Sequence, residues 1–461
     1  MAAYKSGFVA SPIRQLPVEI LAKIFMQLIF GRDLTDQKIY YLHVRDPRRT
    51  LTYSIKYPTP LPFLISHVCS IWRAVALSSP VLWALLETPS DGRPSSSKGI
   101  TKLLQLWISR SGNMPLSLHV CSTPDGGNGD YNFMKALNKD LHRVENMSLT
   151  YWCTSVPFTE LYGDAPSLRT LKLEAEGVNS TDLKFPFSSC PMLQRLEWPT
   201  FKSLLTVGAD IPWTQLTHLR LDDVSPPQAA SSLASCPQLV DVYFRIGASS
   251  NLTGRHIKHE NLRKLVLVIA AGYKINSFIE AIIIPNLTTL QIQSEPRPLS
   301  YEEALHAQTL ADMLARSECH LLYLEVEYLN YNTHELLSIL ETPSCVGLRT
   351  LKNIAPLDFA NILLTDGLLT QLSFSDSSPS NEVLCPDLDT IFFMNYAPSS
   401  PGALGQMIAS RFQFGPLRSF SFYPTRYRND HYDWRILRSL AEEGYNVMVT
   451  GGYRDQRTAQ Y

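Results

Sequence analysis

Apolar residues recur along most of this chain in one short phrase, apolar-x-x-apolar-x-apolar. Clear copies begin at Leu168, Leu193 and Leu216, and others begin at Val144, Leu239, Leu262, Leu287, Leu321, Leu348, Leu369, Leu388 and Leu417. In each copy the last two apolar positions alternate, as they do in a strand with one buried face. The pattern therefore predicts one short β-strand per repeat over residues 141–425.

One such strand cannot bury its apolar face alone, but neighbouring repeats stacked side by side form a parallel sheet with a continuous core. Between the strands lie segments with helical spacing, caps or stop signals. They are Pro226–Ser235, 300–316 (opened by a capping box at Ser300–Glu303), Thr333–Leu340, Pro401–Arg411 and Tyr432–Glu443, with a last strand at Tyr445–Val449. The predicted fold class is therefore α/β, an irregular solenoid of parallel strands and intervening helices.

The N-terminal part of the chain carries a different pattern, with apolar positions at helical spacing. Residues 13–28 predict one helix, opened by Pro17, and residues 63–77 predict a second. A short third element runs from Ser79 to Trp83. The two apolar stripes are Ile20, Leu21, Ile24, Phe25 and Leu28, and Leu64, Val68, Ile71, Trp72 and Val75. Three short helices have too little interior for these residues and two tryptophans, which predicts an interface.

These residues, in this order, resemble the F-box: Leu16-Pro17, Ile20-Leu21 and Ile24-Phe25, then Val68-Cys69 and Trp72-Arg73, then Pro80 and Leu82-Trp83. The repeated phrase resembles the leucine-rich repeat, and Leu103–Val120 is similar to the segment joining box and repeats in proteins of mushroom-forming fungi. The resemblance implies a three-helix F-box-like domain followed by a leucine-rich-repeat solenoid. Its strands would line the concave face, and helices and loops the convex face.

Resemblance to F-box proteins implies a substrate-recognition subunit of an SCF-type ubiquitin ligase. Such a chain makes no bond itself. It docks a Skp-family adaptor, which links it to a cullin-RING ligase, and it holds an unknown target protein on the solenoid. The implied adaptor-binding residues are Leu16, Pro17, Ile20, Leu21, Ile24, Phe25, Val68 and Trp72. The alternative is a non-catalytic scaffold or interaction protein outside any ubiquitin ligase, whose N-terminal helices cap the solenoid.

The resemblance also divides the chain into regions. Residues 1–90 are the F-box-like helical domain, with an insertion at 29–60 that is longer than the family pattern, and residues 91–140 are a linker and N-terminal capping segment. The repeat solenoid covers 141–425, and a C-terminal cap and tail cover 426–461. Arginines near that cap are interpreted as charges that keep it soluble; they are Arg411, Arg418, Arg426, Arg428, Arg435 and Arg438.

Composition and charge narrow the function classes. The 461 residues are 45% hydrophobic, and Lys+Arg 41 against Asp+Glu 42 leaves a formal net charge of -1. A whole-chain field that would attract nucleic acid or an anionic membrane is therefore absent. The sequence shows neither an apolar run of the ~18 residues that a membrane span needs nor the apolar stretch of a secretory signal. We expect a soluble protein of the cytoplasm, the nucleus or both.

Residues that could carry chemistry are scattered. The 8 cysteines include no CxxC pair, and several lie three residues before a repeat, which predicts a structural position. The glycine-rich segment 125–130 lacks a phosphate-binding spacing, and His256 and His259 are interpreted as solvated. The sequence therefore predicts no catalytic residue, no metal site and no cofactor.

The non-repeating positions of the phrase should point away from the core, onto the open side of the sheet. Basic residues outnumber acidic ones there, and aromatic residues lie between them. This pattern predicts a mildly basic surface that captures an acidic or phosphorylated segment of a target. The alternative is an ordinary solvated strand surface. The candidate substrate-face residues are Arg169, Lys172, Arg195, Arg220, Tyr243, Arg263, Tyr323, Arg349 and Phe392.

Overall fold

The structure, a computed structural model, describes residue 13 and residues 16–30, 61–87, 97–121, 134–151, 160–175, 185–198, 211–248, 252, 256–295, 304–329, 331–355, 363–374, 383–398, 400–424 and 431–449. These residues form two compact units, a first unit within Met1–Pro212 and a second within Trp213–Tyr461. The boundary lies inside the region predicted to hold repeats. Several predicted features lie outside the described residues: most of the insertion 29–60, the glycine-rich segment 125–130, the capping box Ser300–Glu303, and Arg426 and Arg428.

The first unit combines helices with parallel strands. Its helices are α1 (Val18–Phe30), α2 (Leu61–Val68), α3 (Ser70–Ser78) and α4 (Ser97–Arg110). Its strands are β1 (Leu85–Glu87), β2 (Leu116–Cys121), β3 (Val144–Tyr151), β4 (Gly163–Asp164), β5 (Thr170–Ala175), β6 (Phe187–Ser189) and β7 (Arg195–Trp198). Strands β1, β2, β3, β5 and β7 form a parallel sheet in that order, and β4 pairs with β6.

The sheet of the first unit starts before the first predicted repeat. Leu118 of β2 stands in register with Met147, Leu171 and Leu196 on the following strands, and all four side chains are buried. Strand β2 lies within residues 91–140, which were predicted to be a linker and cap. It joins the sheet because Leu116, Leu118 and Val120 alternate inward as the repeat residues do.

The N-terminal helices differ from the prediction in the bounds of the first, Val18–Phe30 against 13–28, and in a break in the second. The segment 63–77 is not one helix, because Cys69 has an extended backbone (φ -160, ψ 171) and separates α2 from α3. The Cys69 sulfur then accepts the N–H of Trp72 at 3.5 Å and caps the second helix. The third predicted element is a single 3₁₀ turn, Pro80–Trp83, with Pro80 in its first position.

The second unit repeats a strand-helix pattern. Its strands are β8 (His218–Val224), β9 (Asp241–Ile246), β10 (Ile257–Lys258), β11 (Lys264–Ile269), β12 (Ile282–Ile283), β13 (Thr289–Ser294), β14 (Tyr323–Glu327), β15 (Thr350–Ile354), β16 (Leu363–Leu364), β17 (Thr390–Pro398), β18 (Ser419–Pro424) and β19 (Asn446–Val449). Its helices are α5 (Pro226–Ser235), α6 (Asn276–Ala281), α7 (Ala307–Ser317), α8 (Thr333–Leu340), α9 (Asp366–Leu372), α10 (Ala403–Phe414) and α11 (His431–Glu442).

A parallel sheet forms the core of the second unit, in the order β8-β9-β11-β13-β14-β15-β17-β18-β19. The second apolar residue of each repeat stands in one buried row across it: Leu219, Val242, Leu265, Leu290, Leu324, Leu351, Ile391 and Phe420. Each helix from α5 to α11 packs against the next. The α/β prediction is confirmed, and the stacking of strand on strand and helix on helix is that of a solenoid-like repeat.

The helix predictions hold to within a few residues where they can be compared. Helices α5 and α8 have the predicted bounds. Helix α7 covers the second half of the predicted 300–316, and α10 and α11 are each shifted by one to three residues. Among the described helices none could span a membrane, since α4, the longest, has 14 residues.

One predicted repeat strand is a helix. The copy that begins at Leu369 lies in α9, where Leu368, Leu369 and Leu372 are buried. These three leucines have the spacing of one helix face, and Thr365 and Asp366 favour a helix start just before them. The phrase apolar-x-x-apolar also fits a helix, so the strand prediction was wrong here.

A tight turn precedes several of the strands and explains the regular position of the cysteines. The carbonyls of Cys190, Cys236, Cys345 and Cys385 accept the N–H of the residue three positions later, at 3.1–3.3 Å. All four side chains are buried. The turn leaves room for a small apolar side chain, which is what a free cysteine supplies. The structural interpretation of these cysteines is confirmed.

Asn353 of β15 stands where other repeats carry an apolar residue. It is 2% exposed, in register between Val326 and Phe393, and within the described part of the chain its Nδ2 has no hydrogen-bond partner. An unsatisfied buried amide costs about 1–3 kcal/mol. We therefore expect Asn353→Leu to raise the free energy of unfolding by about 1–2 kcal/mol, measured by urea denaturation.

Asn353→Ala serves as the companion variant, because it removes the amide without filling the space. It should change stability less than Asn353→Leu does. A lower free energy of unfolding for Asn353→Leu would contradict the prediction and show that the amide is needed.

Candidate functional site

Helix α1 is anchored on one side and exposes apolar residues on another. The Pro17 carbonyl accepts the N–H groups of Ile20 (3.0 Å) and Leu21 (3.1 Å), which starts the helix. Leu21 and Phe25, one turn apart, are buried, and the Phe25 ring lies edge-on to Trp72 at 4.9 Å. The exposed residues, 38–51% accessible, form what we call the α1 row: Val18, Ile20, Ile24 and Leu28.

Helices α2 and α3 also leave apolar side chains uncovered. Arg73 donates from Nε to the Ser66 carbonyl (2.9 Å), which holds the two helices together across the break at Cys69. Val75 and Ala76 are buried beneath them. The exposed residues, 38–59% accessible, form the α2–α3 row: Leu64, Val68, Ile71 and Leu77. Large apolar side chains concentrated on short helices are typical of a binding surface.

The predicted adaptor-binding residues occupy two kinds of position. Pro17, Ile20, Ile24 and Val68 are exposed, and Leu16 and Trp72 are half-buried. Leu21 and Phe25 are buried, so they position α1 and present no side chain to a partner. Leu28 lies one turn after Ile24, and Leu64 and Ile71 lie about one turn on either side of Val68. The same helical spacing could therefore have predicted these three exposed residues as part of the binding surface. No sequence signal separates the buried side of each stripe from the exposed one.

An aromatic cluster covers part of the N-terminal helices from within the chain. The rings of Trp83 and Trp107 lie 4.9 Å apart, and Phe63 lies 5.4 Å from Trp83. Trp83 donates to the Ala76 carbonyl (2.7 Å) and Trp107 to the Leu85 carbonyl (2.8 Å). Trp83 is therefore covered within the chain, because α4 supplies Trp107 from beyond residue 90.

The candidate substrate-face residues divide by unit and by position. Arg169, Lys172 and Arg195 belong to the first unit, and the others to the second. Arg169, Arg263 and Arg349 precede their strands, and each carbonyl accepts an N–H from the next repeat strand at 3.0 Å. Their exposed side chains therefore lie where strands begin. Arg220, Tyr243 and Phe392, by contrast, lie on the exposed side of the second sheet, with Tyr323 at the start of β14.

Acidic residues pair with several of the cations on the strand surfaces of the two units. Lys172 pairs with Glu174 (3.0 Å) and Glu197 (3.5 Å). In the second unit Arg220 lies 3.9 Å from Asp222 and 4.0 Å from the Tyr243 ring, and the other pairs are Arg245–Glu295 (2.7 Å), Lys264–Asp241 (3.0 Å) and Lys352–Glu325 (3.8 Å). The charges counted from the sequence ended at the sixth position of each phrase, which left out one cation, Arg245, and four acids, Glu174, Asp222, Glu295 and Glu327. The described surface is not basic.

A cavity of about 110 Å³ opens on the exposed side of β11, β13 and β14. Glu325 accepts hydrogen bonds from Tyr323 Oη and Gln291 Nε2, both at 2.6 Å. Burial and the neighbouring Glu325 raise the pKa of the Glu327 carboxyl to about 7. The polar side chains around the cavity are Gln291, Gln293, Glu325 and Glu327, with Val266 as the apolar wall. This site was not predicted, since its members come from separate repeats.

No protein-family model matches the sequence. No curated protein matches it either. Among solved structures, a protein of Bacteroides fragilis is similar with a TM-score of 0.34 and 11% sequence identity, covering 67% of this chain and 75% of that chain. A likeness of this size carries no argument about fold or function. The inferences that follow rest on this chain's own residues.

The buried thiols are poor nucleophiles. Burial raises the pKa of Cys190 and Cys236 to about 12 and that of Cys345 to about 11, so at neutral pH they remain protonated. His259 is also buried, with Nε2 2.9 Å from the Cys236 carbonyl and Nδ1 accepting the Leu262 N–H at 3.2 Å. Its interpretation as solvated was wrong, because it occupies the turn position that cysteines take elsewhere. Within the described ranges, no group of His, Cys, Asp or Glu side chains is placed to hold a metal ion.

Proposed function

We propose that this chain is the substrate-receptor subunit of an SCF-type ubiquitin ligase. The α1 row and the α2–α3 row would dock a Skp-family adaptor, which bridges to a cullin-RING ligase, and a strand surface would hold the target protein. The observation that carries the proposal is the α1 row, with Ile20 40% and Ile24 38% exposed on a helix anchored by buried Leu21 and Phe25. The F-box-like order of motifs in the sequence supports it.

In this role the chain supplies proximity and makes no covalent bond. Ubiquitin transfer would occur elsewhere in the complex, and the receptor would raise the effective concentration of the target's lysines near the transferring enzyme. The rigid packing of Phe25 on Trp72 keeps α1 in place before the adaptor arrives. A preformed docking surface loses less entropy on binding than a flexible one. The leucine-rich-repeat form of the solenoid and residence in the cytoplasm or nucleus are parts of the same proposal.

Substitution on the α1 row tests the docking. We expect Ile20→Glu/Ile24→Glu to weaken adaptor binding at least about 100-fold, because two apolar side chains would be replaced by charges that lose hydration in the interface. Since both residues are exposed, the variant should keep the thermal unfolding temperature of the wild type. Affinity is measured by calorimetry with the purified Skp-family adaptor of a mushroom-forming fungus.

Lys23→Gln/Gln27→Glu is the matched control. It makes the same change in net charge on the same helix, at two exposed polar positions. Adaptor affinity should stay within about twofold of wild type. Equal weakening by both double variants would contradict docking through the α1 row.

A scaffold outside any ubiquitin ligase is the second candidate. It is favoured by the Trp83–Trp107 contact, which joins the N-terminal helices to α4 as a structural cap would be joined. Folded wild-type protein that shows no adaptor binding at micromolar concentrations would establish the scaffold as the better proposal.

A further inference from the structure

The cavity on the second unit's strand surface has the size of one side-chain head group. Its volume is about 110 Å³, well below the ~300–1,000 Å³ of pockets that enclose drug-sized ligands. Gln291 and Gln293 of β13 and Glu325 and Glu327 of β14 present amide and carboxylate groups to it. An occupant would therefore be a single group that donates several hydrogen bonds.

The charge in the cavity is negative and is incompletely balanced. Lys352 lies 3.8 Å from Glu325, and in the described part of the chain no cation lies within 4.0 Å of Glu327. Glu325 and Glu327 both line the cavity, which places two carboxyl groups close together. A guanidinium or ammonium group inserted between them would replace a carboxyl-carboxyl contact with charge-assisted hydrogen bonds.

Neighbouring cations on the same surface already have carboxylate partners. Arg245 donates to Glu295 from Nε at 2.9 Å and from Nη2 at 2.7 Å, in a bidentate arrangement. Lys264 donates to Asp241 at 3.0 Å. Beyond Lys352, these described cations are thus held by other carboxylates, which leaves room for a second cation at the Glu325–Glu327 pair.

An aromatic and methionine patch lies on the same surface a short distance away. Phe392 and Tyr423 have ring centroids 5.3 Å apart, and Tyr423 Oη lies 3.3 Å from the sulfur of Met448, which is 50% exposed. Glu325 is in register with Lys352, and Lys352 with Phe392, so Phe392 lies two strands from the cavity and Tyr423 three. At the usual strand spacing these separations are about 10 and 14 Å.

We propose that this surface binds a protein segment that inserts one arginine or lysine side chain between Glu325 and Glu327 and packs one apolar side chain on Phe392 and Tyr423. Side chains alternate along an extended chain, so two anchors on one face are an even number of residues apart; four residues cover about 13 Å, which matches this separation. The inference deepens the proposed function, on which it rests for taking this surface as the target-binding one. It predicts a basic target segment, the reverse of the acidic segment expected from the sequence.

A synthetic peptide tests the two anchors. The probe is a fluorescein-labelled nine-residue peptide of glycine and serine that carries one arginine and, four residues later, one phenylalanine. Fluorescence anisotropy with the full chain at pH 7.5 and physiological salt should show saturable binding. A matched peptide with citrulline for arginine, which keeps the shape and removes the charge, should bind at least about tenfold more weakly.

The variants locate the binding. Glu327→Gln should remove the preference for arginine over citrulline, and Glu341→Gln, an equal charge change at an exposed residue away from the strands, should keep it. The inference would be overturned if the arginine peptide did not bind, or if it and the citrulline peptide bound equally. It would also be overturned if Glu327→Gln kept the preference for arginine, or if free methylguanidinium bound as tightly as the peptide. Because the assay contains no adaptor, its result is independent of the Ile20→Glu/Ile24→Glu experiment, which tests the ligase proposal.

Discussion

Replacing Arg411 by methionine should destabilise the protein by about 3–5 kcal/mol. Arg411 lies in α10 and is 0% exposed. Its Nε donates to the Leu372 carbonyl at 2.5 Å, Nη1 to the Cys385 carbonyl at 3.1 Å, and Nη2 to the Leu384 carbonyl at 2.6 Å. One guanidinium, which belongs to α10, thus holds that helix to the end of α9 and to the turn that precedes β17. Methionine fills a similar volume but leaves the Leu372 and Leu384 carbonyls without a donor, while the Cys385 carbonyl keeps only the Leu388 N–H.

The three acceptors explain why an arginine can be buried here with carbonyls as its hydrogen-bond partners. Leu372 is the last residue of α9, where the helix carries partial negative charge and unsatisfied carbonyls. The guanidinium also lies 5.5 Å from the Phe374 ring centroid. Burial lowers the pKa of Arg411 to about 10, so the group stays charged at neutral pH. The interpretation of Arg411 as a solubilising surface charge was therefore wrong.

Urea denaturation followed by circular dichroism measures the effect. Arg411→Lys should recover only part of the loss, because an ammonium group cannot reach three carbonyls in the geometry of a planar fork. Arg418→Met, at an exposed arginine just before β18, is the control and should change stability by less than about 0.5 kcal/mol. A loss below about 1 kcal/mol for Arg411→Met would show that water satisfies the carbonyls instead.

Removing the Glu327 carboxyl should flatten the dependence of stability on pH. Its pKa is about 7 in the folded chain against an ordinary value of 4.5, so between these values the folded state holds a proton that the unfolded state has released. Stability from this group therefore falls as pH rises from about 4.5 to 7 and is constant above that. Converted in full, the pKa difference would change the free energy of unfolding by about 3 kcal/mol. Partial contact of the carboxyl with solvent reduces this change to about 1–2 kcal/mol.

Glu327→Gln should accordingly raise the free energy of unfolding at pH 8 by about 1–2 kcal/mol and leave it nearly unchanged at pH 4.5. The titratable and charged groups near Glu327 are Glu325 and Tyr323 on β14 and Lys352 on β15. Urea denaturation at several pH values measures the free energy of unfolding of the wild type and of Glu327→Gln. Glu341→Gln is the control, and its stability should depend on pH as that of the wild type does. If the free energy of unfolding of Glu327→Gln fell with pH as steeply as that of the wild type, another group would be responsible for the pH dependence.

Strands and their register could be predicted because the deciding residues are close in sequence. The alternation of Leu265 and Leu267 within β11 requires no knowledge of β9 or β13, and each repeat carries its own copy. The same local pattern misled at Leu369, where apolar spacing fits a helix as well as a strand. It also could not tell which side of α1 is buried, since Trp72, which covers Phe25, is far along the chain.

Charge on the strand surface could not be predicted from the repeat phrase. Arg245 and Glu295 are 50 positions apart, and they meet because β9, β11 and β13 are neighbours in register. Counting charges along one strand treats each as solvated, whereas the sheet brings an acid from another repeat to Lys172, Arg245, Lys264 and Lys352. The sign of the surface therefore changed from basic to nearly balanced, with an acidic cavity.

The sequence by itself determined the α/β repeat, the positions of most strands and helices, and the buried turn cysteines, because backbone preference and apolar alternation act over a few residues. Tertiary structure alone decided which side chains became a site. Arg411 meets the Cys385 carbonyl 26 positions away, and Gln291 meets Glu325 34 positions away, so their burial and charge depend on contacts that no local pattern records.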